Sequence, residues 1–117
     1  MNRSSQTPGP LTLVEFEILL SLASGELHGY AILQDIDGRT DGALNLRPGT
    51  LYRAMNRLLT GGLIAETTDA GRSGDDPRRR TYRLSAEGRK VAAAEAERLA
   101  RQVSTARLRK VLRRSGT

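Results

Sequence analysis

The sequence has no cysteine and no tryptophan, one histidine and one phenylalanine in 117 residues, and three tyrosines complete an aromatic content of 3%. Without cysteine there is no disulfide framework, no thiol nucleophile and no thiolate metal site, and His28 alone cannot assemble a histidine-based one. No nucleophile with a base and no convergent pair of acids can be placed, so the chain reads as a non-enzyme, with no catalytic residue, no metal ligand and no cofactor. No apolar run approaches the roughly 20 residues that span a bilayer, and Met1 to Gly9 is polar, without the hydrophobic centre of a secretion signal. The expectation is a cytoplasmic protein with no membrane partner.

What the chain does have is positive charge. Lys and Arg number 19 against 13 Asp and Glu, a net +6. The length fits one domain, and 38% hydrophobic residues disfavour disorder. The charge is uneven. Met1 to Leu46 holds two arginines against six carboxylates, a net −4, whereas Arg47 to Thr117 holds fifteen arginines and two lysines against seven carboxylates, a net +10. A field of one sign on one region is the footprint of a partner, and an anionic polymer is the leading one. Arginine suits phosphate and the guanine edge, because its fork pairs bidentately with both. A GC-rich coding sequence would also raise arginine together with alanine and glycine, so position has to decide.

Residues 1–10, with Pro8, Gly9 and Pro10, read as a flexible lead-in. Thr12 and Glu15 have capping-box spacing ahead of a helix over about 13–24, whose Leu13, Val14, Phe16, Ile18, Leu19, Leu20 and Leu22 are too many for one stripe. Both of its sides are therefore expected to be buried, one in its own core and one against a second subunit. Gly25 ends that helix. A second runs from near His28 through Ile32, Leu33 and Ile36 until Gly38-Arg39-Thr40-Asp41-Gly42 breaks it. Leu44-Asn45-Leu46 alternates like a very short strand, and Pro48 opens a third helix over about 48–60 that buries Leu51, Met55, Leu58 and Leu59. Gly61-Gly62 supplies its left-handed stop. Residues 63–68 and 80–84 read as two strands of a hairpin with a turn-rich tip, and Ser85 caps a last helix from Ala86 to Leu112.

Helix, helix, short strand, helix and hairpin is the order of a winged helix-turn-helix, in which the third helix enters the major groove and the hairpin lies beside the backbone. The predicted class is α+β, mostly α: a winged helix-turn-helix over 11–84, with a long C-terminal helix and tail over 85–117. The outward positions of the third helix are Thr50, Arg53, Asn56, Arg57 and Thr60, with Tyr52 at the edge. Arg can read guanine, Asn can read adenine, and hydroxyls can hold phosphates. At the root of the hairpin, Arg78-Arg79-Arg80 could clamp phosphates or reach a narrow minor groove. Either feature alone is also what a solvated surface shows; their placement on the two elements that a winged helix presents to one duplex is what points to double-stranded DNA. Asp75 and Asp76 oppose that and are expected to turn outward or to neutralise Arg72 and Arg78.

His28-Gly29-Tyr30, Arg47-Pro48-Gly49-Thr50-Leu51-Tyr52, Arg57-Leu58-Leu59-Thr60-Gly61-Gly62-Leu63-Ile64 and Arg80-Thr81-Tyr82-Arg83-Leu84-Ser85-Ala86-Glu87-Gly88 together resemble the PadR family of bacterial transcriptional regulators over about residues 11–90. The short C-terminal part is similar to the smaller subfamily, with a single C-terminal dimerisation helix. The resemblance implies a repressor that binds a palindromic operator as a homodimer. It places Gly49, Thr50 and Tyr52 at the DNA backbone, Arg53, Asn56 and Arg57 near base edges, and Arg79 and Arg80 on the wing. Arg47 stands where the family often has Ser, which removes a helix cap and adds a cation, and Ala31 stands where it often has an acid. His28 is read as a turn residue satisfied within the protein, and Tyr30 as core.

Ala92, Ala96, Leu99, Val103 and Ala106 are spaced by four, three, four and three, a coiled-coil-like seam on the last helix. A seam mostly of alanine buries little, so dimerisation is assigned to it jointly with the first helix, through Leu13, Phe16, Leu20, Leu99, Val103 and Ala106. The alternative is that this helix packs back on its own domain. Aromatic scarcity argues against a stacking pocket for flat ligands, and a small-molecule effector, of unknown identity, would bind where the subunits meet. The competing functional class is a winged-helix adaptor that binds another protein without specific DNA binding.

Overall fold

The computed structural model describes residues 11–67 and 80–113; the hairpin tip, with Asp75, Asp76, Arg78 and Arg79, lies outside the described residues. Helix α1 (Leu13–Leu22) starts as its capping spacing predicts: the Glu15 amide donates to Thr12 Oγ1 at 3.1 Å, and the Thr12 amide donates to Glu15 Oε1 at 2.9 Å. Ile18, Leu19 and Leu22 form the centre of the core, whereas Leu13 and Leu20 lie on the opposite, exposed side. Strand β1 (Leu27–His28) leads into helix α2 (Gly29–Arg39), which buries Ile32 and Ile36 against α1.

Arg39 ties the two helices together. It donates to Asp35, to the Glu17 carboxylate and carbonyl, and to Ser21 Oγ, while Ser21 in turn donates to Asp35 at 2.7 Å. That satisfies Ser21, which is buried on an otherwise apolar stripe. The Ser21 hydrogen bond, more than the Arg39 charge, holds the Asp35 carboxyl below its ordinary range.

Helix α3 (Pro48–Thr60) buries Leu51, Ala54, Met55 and Leu58. Its end is a Schellman motif: Gly62 sits at φ 78°, Leu63 donates back to the Leu58 carbonyl at 2.9 Å, and Gly62 to that of Leu59 at 3.1 Å. Strands β2 (Ile64–Glu66) and β3 (Thr81–Leu84) then pair antiparallel, Ile64 opposite Leu84 and Glu66 opposite Tyr82. The sheet order is β1-β3-β2. Helix α4 (Ala86–Leu108) follows at once.

Two expectations are corrected here, and one strand was not anticipated. Residues 44–46 are not a strand: Asn45 adopts φ 49° and donates to the Gly42 carbonyl at 3.0 Å, so this segment is a chain of turns that leaves Leu44 and Leu46 half-buried on the core. The third strand is instead Leu27–His28, paired with Thr81 and Tyr82, and His28 Nδ1 meets Thr81 Oγ1 at 3.0 Å. Tyr30 is not core but 50% exposed, because α2 buries Gly29, Ile32 and Ile36, and position 30 falls off that stripe.

Helix α4 also departs from its predicted seam and end. Gly88, Val91, Ala92, Glu95 and Leu99 turn toward the chain's own domain, whereas Ala96 and Val103 face outward. Beyond Leu99 every residue of α4 except Ala106 is exposed, so the first half packs back and the second half projects. The helix stops at Leu108 rather than Leu112, closed by Lys110 at φ 65° with Val111 donating to the Ala106 carbonyl at 2.9 Å. No glycine marks that stop in the sequence. No helix among the described residues is long and apolar enough to cross a membrane. The architecture is a winged helix-turn-helix with a long C-terminal helix.

Candidate nucleic-acid interface

Pro48 at the first position and the inward stripe of Leu51, Ala54, Met55 and Leu58 fix the rotation of α3 about its axis. The rest follows from helical geometry: Gly49, Thr50, Arg53, Asn56, Arg57 and Thr60 share one exposed face, and Tyr52 lies half-buried at its edge against the core. This is the face expected from the sequence. Residues 47–60 hold three arginines and no carboxylate. Arg47, at the N-cap, makes no side-chain cap bond, so the first-turn amides of α3 are left without one and their partial positive charge adds to that of the arginines.

The structure sorts these cations by what holds them. Arg53, at the centre of the face, has one contact, a long 3.4 Å approach of its Nη2 to Thr50 Oγ1, and no carboxylate partner among the described residues. Arg57, one turn on, is bound: its Nε donates to Glu15 Oε2 of α1 at 2.8 Å. Burial pushes the Glu15 carboxyl up, but hydrogen bonds from Arg57 and the Thr12 amide outweigh it and hold the group below the usual glutamate range. Sequence reasoning assigned Glu15 only to the cap of α1 and missed this second role. No local pattern reveals it, because the partners are 42 residues apart.

Arg80 is likewise occupied. Its Nη1 donates to Glu66 Oε2 at 3.2 Å across the loop end of the β2–β3 pair, and the side chain is only 29% exposed. Arg78 and Arg79 lie outside the described residues. Arg83 points outward from β3 between the inward Tyr82 and the half-buried Leu84; strand alternation could have marked it as the exposed cation of this strand. Among the residues assigned to dimerisation, Leu13 is 58%, Leu20 38% and Val103 40% exposed, Leu99 and Ala106 are half-buried, and Phe16 is buried by its own chain. No group of three or more metal-ligating side chains occurs among the described residues.

No curated protein matches the chain. Among solved structures it is similar to a transcriptional regulator from Clostridium thermocellum, at 29% identity and a TM-score of 0.65 over 86% of this chain and 90% of that one. It is also similar to a PadR family transcription regulator from hypervirulent Clostridium difficile R20291, at 24% identity and a TM-score of 0.63 over 83% and 99%. A mutant of Lactococcus lactis ZitR in complex with DNA shares the fold at 21% identity and a TM-score of 0.57, over 81% of this chain and 57% of that one. The model of the transcriptional regulator PadR-like family matches residues 18–94. That span takes in α2, α3, the sheet and the start of α4, the elements that build and orient the exposed α3 face, and so the chain belongs to the PadR-like family of transcriptional regulators rather than to any family of enzymes.

Proposed function

We propose that the protein is a sequence-specific DNA-binding repressor that occupies a palindromic operator as a homodimer, with α3 in the major groove and the hairpin beside the phosphates. The observation that carries this reading is the outer face of α3, where Arg53 stands without a carboxylate partner among the described residues and beside Asn56, on an element whose inner face is locked into the core. Arg47 and the uncapped first turn suit a phosphate, and Gly49, Thr50 and Tyr52 would lie along the backbone. The hairpin arginines Arg78, Arg79 and Arg80 are proposed for the wing, with Arg80 anchoring it through Glu66. Leu13 and Leu20 of α1 and Val103 of the projecting half of α4 are exposed apolar side chains, which a second copy would cover together with Leu99 and Ala106. Phe16, already buried, shapes that face from beneath. The two-fold then sets two α3 helices about 34 Å apart, one turn of the duplex.

Two measurements test the reading. Sedimentation at micromolar concentration is expected to give twice the 12.8 kDa chain mass; a species of single-chain mass overturns the homodimer. Binding to an operator fragment selected from genomic DNA is expected to weaken with salt at a log-log slope of about −0.9 per phosphate neutralised, whereas an adaptor with an apolar protein interface would show none.

Arg47→Ser separates two roles of one residue. Arg47 already has the extended N-cap backbone, φ −100° and ψ 152°, so a serine hydroxyl there can accept from a first-turn amide. Stability is expected to rise by about 1 kcal/mol, while the salt slope of DNA binding becomes shallower by about 1 as one phosphate contact is lost. Thermal melts and salt titrations of the same preparation check both; a rise in stability with an unchanged slope removes Arg47 from the interface.

A further inference from the structure

The Glu15–Arg57 pair joins the first turn of α1 to the exposed face of α3, and its two ends are unequally placed. The Glu15 side chain is 12% exposed and that of Arg57 55%. The two carboxylate oxygens serve different donors, since Oε1 accepts from the Thr12 amide at 2.9 Å and Oε2 accepts from Arg57 Nε at 2.8 Å. Because Arg57 is held by Nε, its two terminal nitrogens are left over, and neither has a partner among the described residues. A guanidinium gripped at Nε has lost most of its rotational freedom before any ligand arrives, so less entropy is lost when the fork is used. The carboxylate also cancels the charge. A neutralised pair attracts phosphate weakly at a distance, and what it retains is directional donation from two fixed N–H groups, the pattern that matches guanine O6 and N7.

We infer that Glu15 is a positioning residue for DNA recognition, which holds Arg57 as a preformed fork for a guanine edge and so sets sequence preference from outside the recognition helix. The inference rests on the DNA-binding reading above. It separates Arg57 from Arg53 on physical grounds: Arg53 keeps its full charge and must be ordered by the DNA, whereas Arg57 is ordered by α1. It also gives the Thr12–Glu15 capping box a second consequence, since the same box that starts α1 fixes the carboxylate that orients Arg57.

Glu15→Gln is the discriminating variant, because glutamine still closes the capping box through its carbonyl and cannot supply the anionic acceptor that Arg57 Nε requires. Binding of the full chain to the selected operator duplex and to a shuffled duplex of the same composition is measured by fluorescence anisotropy. For Glu15→Gln the operator-to-shuffled affinity ratio is expected to fall by on the order of tenfold, the scale of one bidentate base contact. Arg57→Lys, which keeps the charge and loses the fork, is expected to lower the ratio similarly, and Glu15→Gln is expected to add nothing in an Arg57→Ala background. By NMR, the Nε proton of Arg57 is expected to exchange slowly in the wild type and fast in Glu15→Gln. A purely structural strut would instead lower the melting temperature and weaken both duplexes alike, leaving the ratio unchanged, and that result overturns the inference. Equal losses on the two duplexes for Arg57→Ala make it a phosphate contact and overturn it as well. Wild-type protein that binds neither duplex overturns the DNA-binding reading itself, and this inference with it.

Discussion

Gly88→Ala is expected to lower stability by about 3 kcal/mol, the upper end of the usual cost of overpacking, and the melting temperature by roughly 4–8 °C for each kcal/mol in a domain of this size. A Cβ at position 88 would lie 2.0 Å from the Leu63 carbonyl oxygen and 2.9 Å from its carbon. The obstacle is backbone, and it is not free to move. That carbonyl accepts the Ser85 amide at 3.1 Å, Ser85 Oγ donates to the Gly62 carbonyl at 2.6 Å, and the Gly88 amide donates back to Ser85 Oγ at 2.9 Å. Gly88 is thus the contact point at which α4 docks on the junction between α3 and β2, and the gain of up to about 1 kcal/mol that alanine normally brings to a helix is outweighed.

Gly38 provides the control. It also lies in a helix, but a Cβ there meets nothing within 4 Å, so Gly38→Ala is expected to leave stability unchanged or raise it by about 0.5–1 kcal/mol. Thermal or denaturant melts of the two variants decide the matter. A Gly88→Ala protein that melts within a degree or two of wild type would show that the joint can open without cost.

Arg53→Ala is expected to weaken operator binding by about 1–3 kcal/mol while changing affinity for a shuffled duplex much less. Among the α3 arginines it combines full charge with a central position on the exposed face, and its only hydrogen-bond contact among the described residues, 3.4 Å to Thr50 Oγ1, is too long to hold it. Its removal should be almost silent in a thermal melt, because no buried group among the described residues loses a partner. Arg53→Lys distinguishes the nature of the contact: a lysine that restores affinity on both duplexes marks a phosphate contact, and one that fails on the operator alone marks a base read by a fork. Unchanged operator binding for Arg53→Ala would remove the centre of α3 from the interface.

The elements that were legible in the sequence are those whose determinants sit within a few residues of one another. Thr12 and Glu15 announce the start of α1, Pro48 that of α3 and Ser85 that of α4, and each cap forms or opens its helix as its spacing predicts. Gly61-Gly62 announces the end of α3, because only a residue at ease with positive φ closes that motif without strain. The exposed face of α3 was legible for the same reason, since helical periodicity and the apolar residues Leu51, Met55 and Leu58 fix which side remains.

What lay outside the sequence's reach were partnerships between distant residues. Two residues, Leu27 and His28, carry no periodicity, and they become a strand only because Thr81 and Tyr82 arrive beside them from the far end of the hairpin. The Ala92 and Ala96 seam follows from spacing alone; packing of α4 against α1 turned Glu95 inward and Ala96 out, with Glu95 and Ala92 on the side of the buried Gly88. Charge shows the division most clearly. The absence of cysteine, the scarcity of aromatics and the +10 of the second part of the chain are properties of composition, and the sequence by itself determined them. Which of those cations remain available was decided by tertiary structure alone: Glu15 comes within 2.8 Å of Arg57, Glu66 within 3.2 Å of Arg80, and no carboxylate among the described residues pairs with Arg53. An ion pair depends on a separation of a few ångströms, and a separation between residues 42 apart in the chain exists only once the helices have packed.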